Sequence, residues 1–323
     1  MKSFLESQLV GPLAAMILVT VIVALTTERF LDANNLGNLT LQVSIVALTA
    51  IGSTIVIFTA GIDLSPGSAI ALLTMVFAVT VKFWAVPFGL AVVFILLLGA
   101  FLGAINGFLT AYMRIPAFIT TLAALSAFRG MAFMFNKGSP VFSVSRLLDP
   151  LFYGKVLGIP LPLYYVVFFY ALAALLMRYT RLGRQIYAVG GNPSAARLSG
   201  IDVKRVQLFA FIIAGFMAAV GALLMAARLN SGSPNYGVGL ELKAIAAAVI
   251  GGASLFGGRG NVLSTLIGAL TITIVQNGLN LNAVPTSIQN VVIGLIIVIA
   301  VAIDMWREEI SLIFQRLIPS RNP

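Results

Sequence analysis

Residues 88–112 read FGLAVVFILLLGAFLGAINGFLTAY and contain no charged side chain. An α-helix rises about 1.5 Å per residue, so about 20 apolar residues are enough to cross the hydrocarbon core of a bilayer. The stretch therefore predicts a transmembrane helix. Gly99, Gly103 and Gly107 recur at every fourth position, on one face of that helix. This spacing predicts that the backbone of a second helix packs closely against it.

Apolar runs of this kind recur along the whole chain, which has 323 residues, 60% of them hydrophobic and 9% charged. A soluble domain usually carries about 25% charged residues. The composition therefore excludes a soluble globular protein and predicts an all-α polytopic membrane protein. About ten runs approach the length of a membrane span, at residues 11–27, 41–60, 67–81, 88–112, 116–135, 161–177, 206–227, 241–253, 261–280 and 287–304.

Five of the ten runs are shorter than the usual span of about 20 residues. Short spans interrupted by Gly favour broken or re-entrant segments, which a bilayer tolerates only where protein or a water-filled cavity lines them. Spans 2–5 and spans 7–10 run in opposite senses around the sixth span, as the two halves of an inverted repeat do.

The distribution of Lys and Arg orients the chain. With both termini in the cytoplasm, 12 of the 20 Lys and Arg residues lie on the inner side, 7 lie on the outer side, and Arg129 lies within a span. Cytoplasmic loops of membrane proteins are enriched in these residues. The polar segment 179–205 is therefore predicted to be cytoplasmic, and the loop 136–160 to be external.

The chain contains neither Cys nor His. Thiolate catalysis, imidazole acid–base chemistry and the usual zinc ligands are thereby excluded. The Gly-rich stretch GGASLFGGRG (251–260) contains Arg259 but lacks the Lys of a phosphate-binding loop. The basic residues are scattered through short loops instead of forming a patch for nucleic acid. We predict no catalytic, cofactor-binding or metal-binding residues and no nucleic-acid partner, so the chain is not expected to be an enzyme.

The segment YAVGGNPSAARLSGIDVKR (187–205) is polar, although apolar runs flank it. Asn192 and Pro193 are a typical helix start, and Gly200 is a typical left-handed stop, which predicts a helix of about two turns, roughly 10 Å long. A helix this short is not stable alone in water and needs a partner surface. The alternative is an interfacial helix that only closes a loop. The side chains predicted to enter a cleft of a partner are Ala195, Ala196 and Leu198, with Arg197 at its rim.

Three stretches together resemble one family. They are TRLGRQIYAVGGNPSAARLSGI (180–201), FTAGIDLSPGSAIAL (58–72) and GLELKAIAAAVIGGASLFGGRGNVLSTLIGALTITIVQNGLNL (239–281). The patterns GIDLS, GGN-x-x-A-x-x-x-GI and GGxSLxGGxG are similar to those of the ribose-type (monosaccharide) permease subunits of bacterial ABC importers. The resemblance extends over about residues 40–305. Pro66 stands where this family often has Val, which implies a local stiffening of the helix start.

The resemblance implies a single transmembrane permease domain over residues 1–323, in the bacterial inner membrane. It implies a homodimer in contact with lipid, a separate ATPase that holds ATP and Mg²⁺, and an external sugar-binding protein; this chain itself holds no cofactor. The segment 179–205 is then the cytoplasmic coupling loop. The residues expected to contact the ATPase are Gly190, Gly191, Asn192, Ala195, Ala196, Arg197, Leu198 and Gly200.

A sugar path requires amide, hydroxyl or ionisable side chains within the spans. Such groups often serve instead as hydrogen-bonding groups between helices. Asp63 is equally compatible with capping the helix that starts at Ser65, and Arg129 with extending its guanidinium to the outer surface. The residues predicted to line the path are Asp63, Ser65, Asn106, Thr120, Thr121, Arg129, Asn277 and Asn280.

Two other functions remain open at this point. Permeases for branched-chain amino acids share the general fold, although a substrate with a carboxylate would call for a cationic or helix-terminus site that is not obvious in the sequence. An ion-coupled secondary transporter would require a paired carboxylate relay within the membrane, whereas Asp63 is nearly isolated.

The predicted orientation can be tested because the chain has no Cys. Single substitutions Ser194→Cys and Ser139→Cys place one thiol in each of the two polar loops. We expect a membrane-impermeant maleimide to label the first only from the cytoplasmic side and the second only from the outer side. The reversed pattern would contradict both the orientation and the assignment of the coupling loop.

Overall fold

The structure is a computed structural model that describes residues 9–317. Its helices are α1 (Val10–Thr26), α2 (Ala33–Phe58), α3 (Pro66–Lys82), α4 (Phe88–Ala111), α5 (Ala117–Met134), α6 (Leu148–Tyr153), α7 (Leu161–Tyr179), α8 (Arg181–Gly191), α9 (Pro193–Leu198), α10 (Val203–Leu229), α11 (Leu240–Ile250), α12 (Val262–Leu281) and α13 (Thr286–Leu317). A 3₁₀ turn spans Phe135–Gly138, and four two-residue strands are β1 (Val141–Phe142), β2 (Lys155–Val156), β3 (Ile159–Pro160) and β4 (Ser231–Gly232).

The expected all-α membrane architecture is confirmed. Each of the ten apolar runs overlaps a helix. Among residues 9–317, six helices are long and apolar enough to cross a membrane: α2, α4, α5 with its 3₁₀ turn, α7, α10 and α12. The helix α11 has only 11 residues, about 16 Å of helix, which is roughly half the thickness of the hydrocarbon core. The full count of crossings and the internal repeat stay predictions.

The helices α2 and α3 lie at the centre of the molecule. Every residue of α2 from 43 to 58 is buried, and so is every residue of α3 from 66 to 80. Most hydroxyl side chains on these helices donate to carbonyls of the preceding turn, as Thr49 does to Ile45 O (2.8 Å). Both helices are therefore surrounded by protein on all sides, which explains why neither has a polar face.

The glycine face of α4 packs against α10, as the sequence predicts. A Cβ on Gly215 of α10 would lie 2.8 Å from the Gly103 Cα and would overlap the carbonyl oxygen of Gly99. A Cβ on Gly107 would lie 3.0 Å from the Cα of Leu208. The two backbones therefore touch directly, and this close approach depends on glycine in both helices.

Two central helices are each preceded by a non-helical segment. Residues 59–65 connect α2 to α3, and residues 230–239 connect α10 to α11. The second segment runs alongside α3: a Cβ on Gly232 would overlap the carbonyl oxygen of Thr74, and one on Gly237 would overlap that of Gly67. The first turns of α3 and α11 therefore lie side by side within the packed helices.

The predicted external loop 136–160 is ordered in the structure. Its strand β1 pairs with β4 in antiparallel fashion, and β2 pairs with β3 in a hairpin. Asn230 Nδ2 donates to the Asp149 carboxylate (3.3 Å) in α6. These contacts attach the loop to the segment between α10 and α11.

The glycine contact between α4 and α10 can be tested with Gly215→Leu. The added side chain overlaps the α4 backbone, so we expect a loss of stability of about 3 kcal/mol and a lower Tm in detergent. Gly130→Leu in α5 is the matched control, because a Cβ there meets no described atom within 4 Å and leucine is the better helix former. Equal Tm values for the two variants would contradict the proposed packing.

Candidate functional site

One helix, α5, donates side-chain hydrogen bonds to both non-helical segments, residues 59–65 and 230–239. Thr121 Oγ1 lies 3.1 Å from the carbonyl oxygen of Ile62 in the first segment and shares its hydrogen with the Ala117 carbonyl of its own helix (2.9 Å). Arg129 Nη1 donates to the carbonyls of Pro234 and, at 2.7 Å, Tyr236 in the second. The sequence left the direction of the Arg129 side chain open; in the structure its guanidinium donates to backbone carbonyls that no helix pairs.

A chain of three buried polar side chains connects the first segment to α4. Asn106 Nδ2 donates to Ser65 Oγ (3.0 Å), and Ser65 Oγ donates to Asp63 Oδ1 (2.6 Å), which also accepts from the Ser65 backbone N–H (2.9 Å). All three residues are at most 4% exposed. Ser65 occupies the N-cap position of α3, as predicted, but its hydroxyl bonds to Asp63 and not to the helix backbone.

The predicted path residues thus separate into groups. Asp63, Ser65, Asn106 and Thr121 meet at residues 59–65. Thr120 lies in the first turn of α5 and is buried, and its hydroxyl has no hydrogen-bond partner among residues 9–317.

The remaining two predicted path residues lie in α12. Asn277 exchanges two hydrogen bonds with Asn35 (2.8 and 3.0 Å), and Asn280 accepts from Gln289 (2.8 Å). These amide pairs connect α12 to α2 and α13, which is the helix-packing role that the sequence left open.

The meeting point of α3 and α11 was not predicted. A Cβ on Gly67 would overlap the Glu241 carboxylate, whose Oε1 accepts from Gly239 N–H (3.3 Å). Two residues further along α11, Lys243 Nζ donates to Gln276 Oε1 (2.9 Å). The only sequence signal for this contact was a glycine beside each helix start, and glycine spacing alone does not identify which segments touch.

The short helix of the polar segment forms where the sequence places it. Asn192 Oδ1 accepts from the N–H groups of Ser194 and Ala195 (3.0 Å each), so it caps α9. Gly200 follows the helix with φ +82°, the left-handed conformation that glycine adopts at low cost. The predicted start, length and end of this helix are confirmed.

The side chains of α9 divide between two faces. Leu198 is 91% exposed, and Ala195 and Arg197 are also exposed. Ala196, in contrast, is 4% exposed and belongs to the main hydrophobic core. The expectation that Ala196 enters a partner's cleft is therefore wrong, because it fixes α9 to this chain.

The preceding helix α8 packs on the end of α2 and on the Gly-rich stretch 251–260. The rings of Phe58 and Tyr187 lie 4.9 Å apart, Tyr187 Oη donates to the Gly260 carbonyl (3.0 Å), and Gly258 N–H donates to the Phe58 carbonyl (3.0 Å). Burial raises the pKa of Tyr187 to about 12, so its hydroxyl stays a donor at neutral pH. We call Phe58, Tyr187, Gly190, Gly258 and Gly260 the inner cluster.

Gly190 makes the closest approach in the inner cluster. A Cβ there would overlap the Phe58 carbonyl oxygen and lie 2.5 Å from the Gly258 nitrogen. Gly190, which was expected to contact an ATPase, is therefore buried against its own chain. Within the described residues, no group of three acidic side chains is placed to hold a metal ion.

The sequence of this chain is similar to those of known permease proteins. Residues 35–301 match the family described as branched-chain amino acid transport system / permease component. The ribose import permease protein of Haemophilus influenzae is 40% identical over 90% of this chain and 91% of its own. That of Escherichia coli K12 is 41% identical over 90% and 92%, and the D-allose transport system permease protein of the same strain is 40% identical over 89% and 88%. No solved structure matches the chain.

The inner cluster predicts different effects of the same substitution at two adjacent glycines. Gly190→Ala forces the α8 backbone away from α2, at an expected cost of about 2 kcal/mol and a Tm lower by several degrees. Gly191→Ala adds its methyl group where no described atom lies within 4 Å, so we expect an unchanged or slightly higher Tm. Thermal unfolding of both purified variants checks this, and a Gly190→Ala variant as stable as its neighbour would refute the contact.

Proposed function

Because the chain belongs to the family described as branched-chain amino acid transport system / permease component, we propose that it is the membrane subunit of an ABC importer for a monosaccharide. It sits in the bacterial inner membrane as a multi-pass protein and carries out no chemistry itself. A separate ATPase hydrolyses ATP, and an external binding protein delivers the sugar. The observation that carries the proposal is the capped helix α9, which is fixed to the chain through Ala196 and presents Leu198.

The exposure of Leu198 supports an ATPase as the partner of α9. An apolar side chain that is 91% exposed beside Arg197, in a segment rich in Lys and Arg, suits a cleft of a cytoplasmic protein better than lipid. Asn192 and Gly200 hold the helix ends in place, so little conformational entropy is lost when a partner docks.

The inner cluster connects the proposed docking at α9 to residues 59–65. The helix α8 directly precedes α9 and contacts the end of α2, and α2 leads into residues 59–65. A displacement of α9 by the ATPase is therefore passed to the segment that holds Asp63 and Ser65. We propose that this is the route by which ATP-driven closure of the ATPase changes access to the sugar path.

The monosaccharide is proposed from the names of the relatives, which are permeases for ribose and D-allose. The family description names branched-chain amino acids instead. The buried amides and hydroxyls near residues 59–65 suit sugar hydroxyls, which both donate and accept hydrogen bonds. This chemistry and the relatives both favour the sugar.

We further propose ten membrane crossings with both termini in the cytoplasm, and a homodimer as the working unit. An inverted repeat is supported by the shared order of a long helix, a non-helical segment and a central helix, seen in α2–α3 and again in α10–α11. The external loop 136–160, attached to β4, is the proposed docking surface for the binding protein.

The coupling role of α9 can be tested with Leu198→Asp in proteoliposomes that contain the permease, its ATPase and its binding protein. Since Leu198 is exposed, folding should be unaffected. We expect ribose uptake and sugar-stimulated ATP hydrolysis to fall together by at least about tenfold, which corresponds to a loss of about 1.4 kcal/mol of binding. The wild-type complex should take up ribose and not leucine.

The matched control for retention of the ATPase is Leu157→Asp, because Leu157 is 93% exposed at the tip of the β2–β3 hairpin; its uptake is not compared, since this hairpin belongs to the proposed docking surface of the binding protein. This variant should retain the ATPase during purification, whereas Leu198→Asp should lose it. Normal uptake by Leu198→Asp would return α9 to the role of an interfacial helix, and uptake of leucine by the wild type would replace the proposed substrate.

A further inference from the structure

The amide of Asn106 has one polar atom that the protein leaves unpaired. Its Nδ2 donates to Ser65 Oγ, and the Ser65 hydroxyl uses its own hydrogen on Asp63 Oδ1. Exchanging the amide oxygen and nitrogen would place two acceptors face to face, so this chain of bonds fixes the orientation of the amide. Asn106 Oδ1 then has no hydrogen-bond partner among residues 9–317, although Asn106 is only 2% exposed.

The same residue lines a cavity between α3, α4, α5 and α10. The cavity measures about 10 Å³, and its polar wall consists of Asp63, Ser65 and Asn106. Glycines from both helices of the close contact, Gly103 and Gly215, belong to its apolar wall. This volume is close to the minimum of about 10–15 Å³ that one water molecule needs, and one hydroxyl group has a similar size.

The polar wall of the cavity favours a ligand that donates a hydrogen bond. The Ser65 hydroxyl gives its hydrogen to Asp63, and Asn106 Nδ2 gives one of its two hydrogens to Ser65. The atom of this wall that has no partner among the described residues is the amide oxygen of Asn106, which is an acceptor. An unpaired buried acceptor costs about 1–3 kcal/mol. A bound O–H group removes this cost, whereas an apolar group or an anion does not.

We propose that this cavity is a binding site for one O–H donor, which gives its hydrogen to Asn106 Oδ1. Two sources supply this chemistry: a single water, or a hydroxyl of the translocated sugar that enters when α4 and α10 separate at Gly103 and Gly215. The second source rests on the proposed function, since it requires a sugar to pass between these helices. The first does not.

The first arm of the test is a high-resolution density map of the wild-type permease in nanodiscs without sugar. A water in the cavity appears as a peak about 2.8 Å from Asn106 Oδ1. The second arm measures uptake of ribose and of 2-deoxyribose by the reconstituted full complex, with Asn106→Leu compared to wild type. If a sugar hydroxyl is the donor, Asn106→Leu lowers ribose uptake about fivefold, the effect of one lost hydrogen bond of about 1 kcal/mol, and reduces the discrimination between the two sugars.

Ser53→Ala is the matched control for removing a buried oxygen, because Ser53 Oγ is likewise unpaired among the described residues but does not line the cavity; both uptake rates should stay unchanged. A density peak with unchanged discrimination identifies the donor as water. An empty cavity together with unchanged discrimination overturns the proposal. If the wild-type complex transports neither sugar while the peak is present, the proposed function fails and the site stands.

Discussion

The fold depends on how a membrane protein satisfies the backbone of two partly buried non-helical segments. Lipid offers no hydrogen bonds, so the buried carbonyls of residues 59–65 and 230–239 must find their partners within the protein. Thr121 and Arg129 provide such partners from one helix. They lie eight residues apart, which is about 12 Å along α5, and this matches two segments that enter the helix bundle at different depths.

Glycine determines how closely the surrounding helices approach. At Gly103 and Gly215 backbone lies against backbone with no side chain between them, and Gly237 likewise meets the backbone of Gly67, beside the Glu241 carboxylate. Such contacts are close, but no side chain of one helix is inserted between residues of the other. The helices can therefore slide past each other without a side chain leaving a pocket. The Tyr187 contact with Phe58 differs in kind, because an aromatic pair and two hydrogen bonds hold it. The inner cluster is therefore expected to move as a unit, while the glycine contacts permit displacement.

Much of this structure was predictable from the sequence, but only at the level of single elements. The run 88–112 predicts its helix from length and composition, and Asn192 with Gly200 predicts both ends of α9 from local backbone chemistry. Neither pattern indicates which distant part of the chain a given side chain contacts. For this reason the sequence left the direction of the Arg129 side chain open and placed Ala196 on the wrong face of α9. The contact between Gly67 and Glu241 escaped it for the same reason.

The contacts of α8 and α2 give the proposed docking at α9 a route to residues 59–65 at the centre of the molecule. From α9 the connection runs through α8 and the Phe58–Tyr187 contact to the end of α2, and each step is covalent or well packed. It then enters residues 59–65, where Asp63 and Ser65 are bonded to Asn106 of α4. In the proposed mechanism, a displacement that reaches this point acts on α4 beside its glycine contact with α10. The backbone of residues 59–65, and not any single charged side chain, is then the element that connects α9 to the contact between α4 and α10.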